Sequence, residues 1–295
     1  MSRIYSLLLL TLTISTSCTE EIKIDLSSSS PELVVEGVIT NEVKAHTIYL
    51  KKSGDYFMNQ PVTMISGAVV SLSDGQNNYI LNEDLLNKGA YSTENTFAGI
   101  PGRTYSISIA NVDVDGDGIK EQYTASCLMI PLAPVDSISV EKKAMFRQDI
   151  WEVKLSIQDS LGFPNYYLSR TYINDVCKSD SINEWGISND ELFDGVYLIN
   201  ETIMFFRSRK PDEKVKDGDK VSLEVCAITE DYMKYIFEVG EEFRGRNPLF
   251  GGQPANIRTN VKRTFPTATD NRGARGYFAA YSVGWGNTIY RELKK

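Results

Sequence analysis

The densest chemistry in the sequence lies in Asp113-Val114-Asp115-Gly116-Asp117-Gly118, where three carboxylates at alternate positions are interleaved with glycines. Calcium loops present oxygen ligands with this spacing, because a hard cation takes roughly 6–8 oxygens and a glycine lets the chain turn beneath it. Glu121 falls at the ninth position, where a direct or water-mediated ligand is usual. The twelfth position is Thr124, not the bidentate glutamate of an EF-hand. The expectation is a weak, structural calcium site of Asp113, Asp115, Asp117 and Glu121. The alternative is an acidic hairpin tip whose Asp-Gly pairs only turn the chain.

Cys18 offers a second chemistry. Arg3 makes the start positive, Ile4 to Ile14 is apolar apart from Ser6, Thr11 and Thr13, and Ser15-Thr16-Ser17 places small residues before the thiol. This run is shorter than the roughly 20 residues that span a bilayer, so residues 1–17 are expected to be a cleaved signal peptide. Ile14-Ser15-Thr16-Ser17-Cys18 resembles a relaxed lipobox, in which the cysteine receives a diacylglyceryl group. The plainer alternative is ordinary secretion with an incidental cysteine. Two or more acyl chains anchor stably where one does not, so the expected location is the outer membrane, lipid-anchored and facing the cell exterior.

Enzymatic readings lack the residues they need. Ala280-Tyr281-Ser282-Val283-Gly284 is a poor nucleophile elbow, since Ala280 replaces its first glycine and no histidine follows in the chain. His46, the sole histidine, is expected at a surface or sheet edge. One histidine and scattered cysteines do not compose a zinc site. Asp180, Glu184, Asp190, Glu191 and Asp194 gather around Trp185, a composition that suits sugars, with a solvated loop over one packed tryptophan as the simpler reading. No catalytic residue is assigned.

Once Cys18 is acylated, Cys127, Cys177 and Cys226 remain, an odd set that permits one disulfide. A Cys177–Cys226 bridge is expected, with two buried thiols as the alternative. Arg244, Arg246, Arg258, Arg263, Arg272 and Arg275 run through a glycine-rich stretch. They suit a partner surface, although ordinary ion pairs are the commoner fate of such arginines.

The elements that must position these groups read as strands. Residues 33–39, 47–50, 68–73, 78–81, 104–109 and 123–127 alternate apolar and polar side chains or run apolar, with Asp74-Gly75, Lys88-Gly89 and Pro101-Gly102 as turns. Such spacing predicts an antiparallel β-sandwich over residues 31–130. Pro131-Leu132-Ala133-Pro134 is an extended, donor-poor hinge. Beyond it, residues 131–295 are expected to form a second β-rich domain. Strands fall near 137–140, 151–157, 166–169, 202–206, 221–225 and, centrally, 277–283. One helix is expected after Thr229, with Met233, Ile236, Phe237 and Gly240 on one face. Residues 18–30, ending in four serines, read as a flexible tether.

The chain carries 31 basic and 39 acidic residues, a formal net charge of −8. That balance argues against nucleic acid as a partner, which needs a basic face.

In their order along the chain, Leu33-Val34-Val35-Glu36-Gly37-Val38-Ile39-Thr40-Asn41, Ser66-Gly67-Ala68-Val69-Val70, Gly99-Ile100-Pro101-Gly102-Arg103-Thr104-Tyr105, Gly218-Asp219-Lys220-Val221, the Thr229 helix, Pro254-Ala255-Asn256-Ile257 and Gly273-Ala274-Arg275-Gly276-Tyr277-Phe278 resemble the family catalogued as domain of unknown function 4249. The resemblance covers nearly the whole chain after the leader. It implies a Bacteroidota outer-membrane lipoprotein, a first domain of immunoglobulin-like or prealbumin-like form, and association with a TonB-dependent transporter. Thr19-Glu20-Glu21 is likewise similar to the acidic signal that sends such lipoproteins to the outer face, and a solvated tether accounts for it equally well. The family brings no catalytic residues. The expected function is therefore a non-catalytic accessory or ligand-capture partner of a transporter in nutrient uptake, taking an unidentified small ligand. A surface glycan- or peptide-acting hydrolase and a structural or adhesive surface protein are the alternatives. No cofactor is expected beyond the structural calcium.

Overall fold

The computed structural model describes residues 31–54, 61–145, 148–162, 164–243, 257–266 and 273–292. Cys18, the leader, the tether, Arg244, Arg246 and Arg272 lie outside these residues.

The protein is mainly β. In chain order the strands are β1 (Leu33–Thr40), β2 (Thr47–Lys52), β3 (Thr63–Met64), β4 (Val69–Ser73), β5 (Asn78–Glu83), β6 (Ala90–Ser92), β7 (Thr104–Val112) and β8 (Glu121–Leu128). Next come β9 (Val135–Met145), β10 (Gln148–Gln158), β11 (Tyr166–Ile173), β12 (Val176–Cys177), β13 (Gly186–Asn189), β14 (Tyr197–Arg207) and β15 (Lys220–Ile228). The helix α1 (Glu230–Phe243) precedes β16 (Lys262–Phe265) and β17 (Ala274–Ile289). One path of pairing runs β12-β11-β15-β17-β1-β2-β6-β5-β4-β7-β8-β16, while β14-β10-β9 form a separate sheet. No described helix is long and apolar enough to cross a membrane.

Alternation in β1, β4, β7 and β8 places every second side chain in a common core with Leu33, Val35, Leu72, Ile107, Tyr123 and Ala125. This is the sandwich expected for residues 31–130, but the far end of the chain completes it. Val261, Ala274, Phe278 and Ala280 belong to the same core, and β17 pairs in parallel with β1 from Leu33↔Ala274 to Thr40↔Tyr281. Residues 31–295 accordingly form one compact unit. The hinge at 131–134 marks a change of core rather than a separation of bodies. Beyond it, Trp151, Val153, Leu155, Phe206 and Leu223 build a second core.

Strand β17 is central, and its two faces divide as period-2 alternation requires. Phe278 and Ala280 enter the first core, whereas Tyr277, Ala279, Tyr281 and Val283 face a third one closed by α1. Gly276 makes the parallel pairing possible. Its φ is +79°, and a Cβ there would lie 2.0 Å from the Val35 carbonyl oxygen.

Thr229 caps α1, accepting from the Tyr232 N–H at 3.3 Å through Oγ1. The buried stripe is Tyr232, Ile236 and Gly240. Phe237, expected on that face, is half exposed, because a residue next to an i, i+4, i+8 stripe is turned about 100° away from it.

Candidate functional site

An open cavity of about 550 Å³ with a built lining lies in the sandwich. The β4–β5 turn contributes Asp74, β5 contributes Tyr79, and the segment between β6 and β7 contributes Phe97, Ile100 and Arg103. Asp74 is the anchor. Its Oδ1 accepts from the backbone N–H groups of Gln76 at 2.9 Å and Asn77 at 2.7 Å. Its Oδ2 accepts from Arg103 Nη1 at 2.7 Å and the Tyr79 hydroxyl at 3.3 Å. Burial alone would raise the Asp74 pKa; the Asn77 and Gln76 N–H groups and Arg103 outweigh it and hold the carboxyl at about 2.

Arg103 is in turn fixed by Gln76 Oε1 at 2.8 Å from its Nη2. Phe97 stands edge-on to Tyr79, with centroids 5.0 Å apart, and to Tyr105 at 6.4 Å. The Tyr105 hydroxyl accepts from the Ile100 N–H at 2.6 Å. Aromatic walls around a held arginine and carboxylate suit a small ligand with both apolar and polar parts. Ile100 and Arg103 come from the Gly99–Tyr105 segment singled out in the sequence, but nothing in that segment's spacing announced a cavity.

His46 backs the same aromatic cluster, 5.7 Å from Phe97. The edge position expected for it is corrected, because the residue is only 2% exposed. Its Nε2 meets Thr40 Oγ1 at 3.0 Å. Burial, then the Lys44 cation, push its pKa down to about 4, so the ring is neutral at pH 7.

Asp113, Asp115 and Asp117 do converge, with a carboxylate oxygen of each within 4.8 Å of the others. They occupy the hairpin between β7 and β8, where Asp113 accepts from the N–H groups of Gly116 at 2.8 Å and Gly118 at 3.1 Å. Glu121 is not in the group. It is buried at the start of β8, where it accepts from Arg263 Nη1 at 3.2 Å and the Tyr123 hydroxyl at 2.9 Å. Count along the loop put it near the ion; β-pairing turns it into the core.

The Cys177–Cys226 bridge is also corrected, since Cys127, Cys177 and Cys226 are all free thiols. Cys177 stands opposite Tyr172 and Cys226 opposite Leu168, on the two strands that flank β11. Two strand spacings across and four residues along leave about 16 Å between them, far beyond the roughly 7 Å Cα limit of a disulfide. Burial raises the Cys226 thiol pKa well above its usual value, which keeps it protonated.

Cys226 instead belongs to a buried polar node that was not read from the sequence. Arg170 Nη2 and the Tyr172 hydroxyl each donate to Glu224 at 2.5 Å, and Cys226 Sγ donates to the same carboxylate at 3.5 Å. The guanidinium lies 5.5 Å from the Trp185 ring. Trp185 is therefore packed against the interior, and Glu184 pairs with Lys210 at 2.7 Å. Of the acids gathered around this tryptophan, Asp190, Glu191 and Asp194 line a second open cavity of about 430 Å³ with Tyr166.

Ser282 is buried and donates to the Ile130 carbonyl at 2.6 Å, so its hydroxyl is committed to the fold. The described arginines of the glycine-rich stretch are paired. Arg258 meets Glu238 at 2.6 Å and Asp231 at 3.0 Å, Arg263 meets Glu121, and Arg275 meets Glu32 at 2.5 Å.

The matching family model is described as Domain of unknown function (DUF4249) and spans residues 19–285. The chain belongs to that family. No curated protein matches it.

Proposed function

We propose that this DUF4249 protein is a lipid-anchored, non-catalytic accessory of a TonB-dependent transporter at the outer membrane, where it captures a small ligand for uptake. The observation that carries the reading is the 550 Å³ cavity, walled by Tyr79 and Phe97 and floored by the fixed Asp74–Arg103 pair. Preorganised polar groups between aromatic faces bind without ordering costs at the moment of capture. The family match begins at residue 19, directly after Cys18, which supports a leader that ends at that thiol. Acyl chains on Cys18 would hold the body near its transporter, and tethering raises effective concentration without high intrinsic affinity. The Asp113, Asp115 and Asp117 loop belongs to the same reading as a weak structural calcium site.

Mild-detergent pull-down of the native protein tests this. Stoichiometric recovery of a barrel transporter, with Cys18 found acylated by mass analysis, is the expected result. A bare thiol, or no co-purifying barrel under any condition that induces expression, overturns it.

A further inference from the structure

Exposed apolar side chains gather at one end of the sandwich. Leu85 and Leu86 occupy the turn between β5 and β6 and are 82% and 93% exposed. Val62, 64% exposed, stands one residue before the Thr63↔Lys52 pair of β3 and β2. The turn is held in place. Asp84 Oδ1 accepts from the N–H groups of Leu86 at 2.8 Å and Asn87 at 3.1 Å, and the Asp84 N–H donates to the Ala90 carbonyl at 2.8 Å. A fixed tip that presents two adjacent leucines forgoes the burial each would gain in an apolar medium. Such a patch marks a contact surface.

Strand pairing shows what else lies at this end. β1 begins at Leu33 opposite Lys52, the last residue of β2, and the Glu32 N–H donates to Ser53 Oγ at 2.8 Å. From β2 the path runs antiparallel through β6, β5, β4, β7 and β8. The start of β1, the β5–β6 turn and the β7–β8 hairpin therefore fall at one end, and the β1–β2 turn with Val43 at the other. A hydrogen bond from the Leu50 N–H to the Gly89 carbonyl at 2.9 Å ties the end of β2 to the leucine turn.

The chain thus enters the sandwich beside Leu85 and Leu86. Residues 19–30 join this end to Cys18, and at roughly 3.3–3.6 Å per residue they reach no farther than about 45 Å. Acyl chains on Cys18 would keep a bilayer within reach of the exposed leucines. Lys88 is exposed next to them, and a lysine lays its stem on apolar surface while its ammonium stays at headgroup level. Asp113, Asp115 and Asp117, at the same end, oppose attraction to anionic lipid. Insertion of the leucines, more than charge, has to supply the contact.

We propose that Leu85 and Leu86, with Val62 at the same end, dip into the lipid surface to which the protein is anchored and hold the body with its β1–β2 turn away from the bilayer. This rests on the lipid-anchored part of the proposed function.

The test reconstitutes the acylated full-length protein into phosphatidylcholine vesicles whose chains carry bromine close to the headgroup, where it quenches tryptophan at short range. Leu86→Trp is compared with Val43→Trp, a 72% exposed position at the opposite end. Each is read as the change from the parent, which holds Trp151, Trp185 and Trp285. Sedimentation with the vesicles checks the anchor first. All three proteins are expected to sediment. Apolar side chains at an interface lie roughly 5–10 Å into the headgroup and acyl boundary, so bromination should cut the added Leu86→Trp emission at least about twofold. High salt should leave that quenching in place, and the Val43→Trp emission should not change. Sedimentation without quenching of Leu86→Trp, or with equal quenching of Val43→Trp, overturns the docking and leaves the anchor standing. Failure to sediment overturns the anchor and the docking with it. A Leu86→Trp signal that follows protein concentration instead of lipid gives this face to a second copy of the chain, which also overturns the proposal.

Discussion

The two aspartate triads use the same side chain and each brings one oxygen per residue within 4.8 Å of the others, yet the chain assembles them in opposite ways. Asp113, Asp115 and Asp117 come together within one hairpin, stay partly solvated, and spend their oxygens on the N–H groups of their own loop. Asp159, Asp190 and Asp194 arrive from separate connections, and two of them are buried. Water screens the first set; nothing basic among the described residues balances the second. The difference teaches that a ligand-like pattern in sequence marks local convergence, whereas neutral hydrogen-bond donors from separate connections can hold buried carboxylates together without a counter-charge.

Asp74 gives the scale for this contrast, being a buried carboxylate that does have its cation, with Arg103 at 2.7 Å. Asp74→Asn removes the charge from that pair and from two backbone donors. Charge-assisted hydrogen bonds contribute about 1.5–3 kcal/mol each relative to neutral ones at the lower end, so a loss of about 2–3 kcal/mol at pH 7 is expected in urea unfolding. The pH dependence has a definite sign. The folded pKa of about 2 lies below the ordinary 3.8, so the contribution is complete above pH 4 and is lost as pH falls through about 2. The variant should flatten the stability curve across that window. Equal acid limbs in parent and variant would show that Asp74 is no such reference.

The same isosteric change in the buried triad should act with the opposite sign. Two carboxylates with oxygens up to 4.8 Å apart repel by roughly 3 kcal/mol at an effective dielectric of 20. Loss of the charge-assisted bond from Asn165 offsets part of that gain. In chelator, Asp190→Asn is therefore expected to raise stability by about 1 kcal/mol. Destabilisation of the variant in chelator would mean that Asp190 already has its compensation, and the contrast with the hairpin would dissolve.

The legibility of these sites follows from the range of the interactions. Strand alternation in Thr104–Val112 and Glu121–Leu128, the hairpin between them, and the cap at Thr229 are local, and each was readable from neighbouring residues. The two faces of β17 were readable as well, because period 2 needs no knowledge of a partner. Its parallel partner β1 was not, since the pairing joins the two ends of the described chain. For the same reason the first core could not be drawn correctly from residues 31–130 alone. The cavity beside Arg103 and the triad containing Asp159 depend on loops that meet only after the sheets form. Cys177 and Cys226 failed for a related reason: shared membership in a β-rich region says nothing about register, and register sets them apart.

The smallest effect is expected at the hairpin. Asp115 Oδ1 accepts from the Asp117 N–H at 3.2 Å, a role that the side-chain oxygen of asparagine fills equally well. Partial solvation leaves little charge energy to lose, because interactions in solvated surroundings contribute about 0–1 kcal/mol. Asp115→Asn should thus change stability in chelator by no more than about 0.5 kcal/mol, read from the urea midpoint at an unchanged slope. A loss above about 1 kcal/mol without calcium would place the hairpin among the structurally committed carboxylates. The division between a solvated loop and a buried group held by neutral donors would then fail at its solvated end, whatever the buried triad does.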